Sequence, residues 1–250
     1  VEQGRLDQAE PWLRIAGASG NDPSAALDLA HLYVNLGMPA DAEAALSSVK
    51  TPPGSQYLGA ARLAAKGNYP AVLSYGRERA AADREDAFWP QAIAIGCLMT
   101  GDWPDGAAQL PRFAPSLLSP EPEVAASGLA TALMAAHLLS QAGDRPQGRR
   151  IAEAVLRATA NPENGYLSGD ARIARVKAFA ELGDTDKALA ELAAAVKVGW
   201  RTPFDAESYV WLDQDPQTRN LQQDPRFKSL MAQVRADLAA QRERLLAQRR

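Results

Sequence analysis

Six glycines recur along this chain in one setting. Gly4, Gly37, Gly67, Gly101, Gly143 and Gly183 each follow a helix-like run, open a short turn, and precede an apolar stretch. The gaps between them are 33, 30, 34, 42 and 40 residues. A period of this size marks a stacked array of helical units. Each unit in such an array buries its face on its neighbours rather than in one shared core. A small residue stands five positions after most of the glycines: Ala9, Ala42, Gly106, Gly148 and Ala188, with Val72 a weaker match. Two helices in a tight hairpin approach closely only where no large side chain stands at the crossing.

The segments between the glycines read as pairs of helices. Ala26, Leu29, Ala30 and Tyr33 recur at helical spacing and make one apolar face before Gly37. Asp22 is placed to cap that helix and Pro23 to occupy its first position. Gly37 ends it, because glycine tolerates the left-handed conformation just past a helix terminus. The next helix, 39–49, closes the unit. The same pattern pairs 56–66 with 70–82, 87–100 with 104–113, 122–142 with 146–159, and 168–182 with 185–198. The two longer gaps call for longer first helices or longer linkers. Gly4 to Ala16 matches a second helix only, so its partner is expected before Val1 and the chain reads as part of a longer protein. Residues 200–250 leave the period. They cluster Trp200, Phe204, Tyr209 and Trp211, then start a helix at Asp224-Pro225 with the stripe Phe227, Leu230, Met231, Val234 and Leu238.

Composition excludes some classes. A formal charge of -3 argues against a general nucleic-acid binder. No apolar run is long enough to span a membrane. The lone Cys97 permits no intrachain disulfide and leaves cytoplasm and periplasm equally open. His31 and His137 lie too far apart in sequence to suggest metal-ligand spacing, and no phosphate loop, nucleophile elbow or dinucleotide fingerprint is present. No cofactor is therefore expected. Asp213-Gln-Asp215 reads as a solvated turn, and Cys97 as a buried thiol rather than a nucleophile.

The phased pattern resembles tetratricopeptide repeats. Aligned on the turn glycine, that family's small residue falls on Ala30, Ala60, Ala94 and Ala136. Its aromatic falls on Tyr33 and Phe179, and its second-helix alanine on Ala9, Ala42 and Ala188. Its first tryptophan is replaced by Ala26, Pro90 and Arg172. The resemblance implies an all-α, right-handed superhelical solenoid of helix–turn–helix repeats with a C-terminal helical cap. The array would span 1–201 (a half repeat over 1–20, then about five hairpins) and the cap 202–250. The segment from Trp211 to Leu230 is similar to tails that close such arrays in bacterial multidomain proteins, which often carry a winged-helix, cyclase or kinase domain upstream.

A polar groove follows from the same phase. His31, His137 and Lys177 lie six residues before their turn glycines, and Asn35, Gln141 and Glu181 two before. In the resembled family the first of these positions faces the concave groove, and Tyr57 and Gln91 would also reach it. Two exposed histidines matching by chance is the competing reading. The function expected is non-catalytic binding of a peptide or protein partner in that groove. The alternative is the effector-sensing part of a larger bacterial signalling or transcription regulator. The final helix offers Leu238, Leu245 and Leu246 for pairing with a second copy.

Overall fold

The computed structural model describes residues 4–18, 23–47, 56–160, 167–201 and 210–250. Among the described residues the regular secondary structure is all helical, without strands. The α-helices are α1 (Leu6–Ala18), α2 (Pro23–Asn35), α3 (Pro39–Ser47), α4 (Gln56–Ala65), α5 (Tyr69–Ala82), α6 (Phe88–Thr100), α7 (Trp103–Phe113), α8 (Leu129–Gln141), α9 (Arg145–Ala158), α10 (Gly169–Leu182), α11 (Thr185–Lys197) and α12 (Pro225–Gln248). Asp22, Phe204 and Tyr209 lie outside the described residues, and of Tyr57 only the backbone is described.

All six phased glycines hold positive φ, between 68° and 109°. That conformation strains any residue with a Cβ, which is why glycine stands at each turn. The following helix starts two residues later in each case. Asn68, Asp144 and Asp184 each accept a backbone N–H of the first turn with their side chains. The small residues meet a real crossing. A Cβ on Gly148 would lie 2.1 Å from Ser140 Oγ and 2.5 Å from the Ala136 carbonyl. One on Gly106 would lie 2.7 Å from the Leu138 side chain. Ala42 and Ala188 are buried, and Ala9 is partly so.

Helices pack chiefly on their neighbours in sequence. The expected first helix over 122–142 is shorter than its segment. Residues 115–118 and 126–128 form 3-10 turns, and α8 begins only at Leu129. Pro115, Pro120 and Pro122 break the helical pattern there. The extra length is thus a linker, tied down by buried Gln147, whose Nε2 donates to the carbonyls of Leu117 (2.6 Å) and Ser119 (2.8 Å).

The two ends of the described chain share one apolar core, with residues from α1–α3 and from α10–α12. Helix α12 is the bridge. Its buried residues Phe227, Met231, Val234, Leu238, Gln241 and Leu245 alternate by four and three, so one stripe runs its full length. Gln241 Oε1 accepts the first N–H of α1, from Leu6 (2.7 Å), while its Nε2 donates to the Gly4 carbonyl (2.7 Å). Arg244 pairs with buried Asp7 (2.6 Å) and Arg249 with buried Glu10 (2.8 Å). Leu238 and Leu245 are buried within the chain itself, and Leu246 packs against the same core. The stripe considered for pairing with a second copy is therefore taken up internally.

A candidate ligand cleft between α8, α9 and α10

A cleft of about 600 Å³ opens among the described residues. Helix α8 contributes His137, Ser140 and Gln141, α9 contributes Arg145 and Arg149, and α10 contributes Ala180 and Glu181. The turn after residue 215 adds Pro216, Gln217, Arg219 and Asn220, and Trp103 stands at the start of α7.

His137 is fixed on two sides. Its Nδ1 lies 3.1 Å from Glu181 Oε2, and its ring meets Trp103 edge to face with centroids 5.5 Å apart. Both members of the His137–Glu181 pair are about nine-tenths buried. The pair ties α8 to α10 across the cleft wall, so Glu181 is engaged by the protein rather than offered to a ligand.

Lys177, one turn before Glu181, does not reach the cleft. It is 4 % exposed, and its Nζ lies 2.7 Å from Asp215 Oδ2, itself 2 % exposed. Asp215 is therefore not part of a solvated turn, as its sequence context implies. Its carboxylate also accepts the Gln217 N–H (2.9 Å) and so begins the 3-10 turn 216–218. Thr218 Oγ1 donates to the Leu212 carbonyl and Asn220 Nδ2 to the Ala180 carbonyl (2.9 Å). Lys177 thus anchors the segment that carries Gln217 and Arg219 to the cleft.

Of the groove residues expected from sequence, His137, Gln141 and Glu181 come together here. His31, Asn35 and Gln91 do not line this cleft; Asn35 is buried, and His31 and Gln91 are half-buried. Sequence reasoning missed the cationic rim of Arg145, Arg149 and Arg219. A signal existed for Arg145. It is the first residue of α9, and the positive end of a helix dipole disfavours a cation there. An arginine at that position calls for another reason.

One metal-like grouping needs weighing. Cys97, Asp102 and Asp105 bring potential ligand atoms within 4.8 Å of one another across the Gly101 turn. The Arg77 guanidinium already bonds both carboxylates there. Burial, reinforced by the neighbouring carboxylates, pushes the Cys97 thiol up to about 12. A protonated thiol beside a guanidinium is a poor metal site and a poor nucleophile.

The chain matches no family model and no curated protein sequence. No helix of the described residues is long and apolar enough to cross a membrane.

Proposed function

We propose that the chain is a non-catalytic recognition module: a tetratricopeptide-like α-solenoid with a C-terminal helical cap, binding a peptide or protein partner. The phased glycines with positive φ, the small residues at helix crossings and the neighbour-to-neighbour packing support the solenoid reading. The observation that carries the binding reading is the cleft. Residues at matching phase on successive first helices, Gln141 of α8 and Glu181 of α10, open into it together with His137 and exposed arginines. Polar and charged groups converging on one concavity are what a recognition site requires.

A second reading, the effector-sensing region of a larger regulator, is favoured by one feature. A cleft of about 600 Å³ falls within the range of small-molecule sites. Both readings place the ligand against the same residues.

Site-specific photocrosslinking tests the partner reading. A crosslinking residue at exposed Gln141 should trap a defined partner, and one at exposed Lys197 on α11 should not. The trapped species should then bind purified chain, and His137→Ala should weaken that binding. Equal trapping at both positions, or undiminished binding by the variant, would contradict it.

A further inference from the structure

The charges around the cleft do not balance. The side chains of Arg145 and Arg219, both exposed residues, make no ion pair or hydrogen bond with any described residue. Arg149 pairs only with Glu153 one turn along α9, and both side chains are largely solvated at 62 % and 44 % exposure. Such a solvated pair contributes little and yields readily to a better partner. The carboxylate in the cleft, Glu181, is turned to His137. Three guanidinium groups from two separate elements therefore face one concavity, two without an ion-pair partner and the third in a solvated pair, on a chain whose net charge is -3.

The wall also holds an unsatisfied group. Gln217 is 7 % exposed and lines the cleft, and its Oε1 is buried without a hydrogen-bond partner. A buried polar atom left unpaired is costly, and in a folded protein it calls for a specific reason. That oxygen is an acceptor closed off from the cleft, so a phosphate does not satisfy it, and Gln217 serves as a buried wall residue. Gln217 is held in place by the buried Lys177–Asp215 pair, so the wall is built rather than incidental.

Resting on the recognition reading, we propose that this cleft binds a phosphate group. A phosphate monoester carries close to two negative charges at neutral pH and offers three strong acceptor oxygens. The planar donor forks of arginine match it. A single carboxylate would leave most of the cationic rim uncompensated. Gln141 supplies a neutral donor beside the arginines, and Trp103 gives an apolar wall for whatever bears the phosphate. The phosphate comes either from a small organic ligand or from a phosphorylated side chain of the partner.

Isothermal titration of the intact chain tests this. The probes are phenyl phosphate, a short phosphoserine peptide, their phosphate-free counterparts (phenol and the serine peptide), and succinate. Both phosphate-bearing probes should bind, and the counterparts and succinate should not. The tighter of phenyl phosphate and phosphopeptide identifies the source of the group. Arg145→Gln combined with Arg219→Gln should weaken phosphate binding by about tenfold or more, because each removes charge-assisted hydrogen bonds. Helical circular dichroism and melting midpoint should be unchanged, and Arg226→Gln, outside the cleft, should leave binding intact. Succinate or the serine peptide binding as tightly as the phosphate probes overturns the phosphate assignment, with recognition at the cleft still standing. Phosphate binding that survives the double arginine change overturns the site. Failure of every probe also overturns the phosphate assignment, and trapping at Gln141 then reports separately on the recognition reading.

Discussion

At the scale of single residues, Lys177 shows how a shared sequence phase can mislead. It occupies the same position before its turn glycine as His137, yet it is buried against Asp215 while His137 borders the cleft. The sequence shows the position on the helix but not that the segment at Asp215 folds over it. Removing one member of a buried pair leaves the other charge uncompensated, so Lys177→Ala should destabilise by about 3–5 kcal/mol. Denaturant unfolding measures this. Lys177→Met with Asp215→Leu should recover most of the loss; if the double variant is as unstable as the single one, the buried pair is not its cause. Cys97 gives a second expectation. Its thiol is buried and held protonated far above neutrality, so iodoacetamide should label it slowly at pH 8 in the folded chain and rapidly in urea. Rapid labelling of folded protein would contradict the burial.

At the scale of elements, the glycine phase carries most of what was legible. It located the turns and the helix starts, because both depend on local chemistry: a left-handed residue, a capping side chain, a proline in the first turn. It also located the crossings. Gly148→Ala should destabilise by about 1–3 kcal/mol, since the added methyl meets the Ala136 carbonyl, which cannot move aside as a side chain could. A melting midpoint equal to wild type would count against that crossing. The 114–128 linker was less legible, because its anchor is Gln147 of α9, beyond the helix that follows it. Helix α12 was half legible. Its amphipathic first half reads as a cap, while the leucine spacing of its second half would also permit pairing with a second copy. The clue was Gln241, a polar residue in register with the apolar stripe, which signals a specific buried partner. Deleting residues 239–250 removes Gln241, Arg244 and Arg249 from α1 and leaves Asp7 and Glu10 buried without those arginines. Hydrogen exchange should then show lost protection across α1 while α8–α10 keep theirs. Unchanged protection in α1 would contradict the bridging role.

At the scale of the whole molecule, the helices pack chiefly on their neighbours in sequence, and α12 joins α1–α3 and α10–α11 in one core. That core reaches the cleft wall through Ala180 and through Leu221 next to Asn220, while the cleft residues of α8 and α9 lie outside it. The cleft itself could not be read from sequence beyond His137, Gln141 and Glu181. Its arginines come from the start of a second helix and from a turn outside the repeat pattern, and only the fold brings them to one place. Amide-resolved NMR of the isotope-labelled chain, titrated with phenyl phosphate, tests the central claim most directly. The account predicts saturable shifts confined to the cleft residues of α8 and the first turn of α9, to 180–181 and to 216–220. Shifts centred instead on the arginine-rich end of α12, or spread evenly over the basic surface, would contradict it.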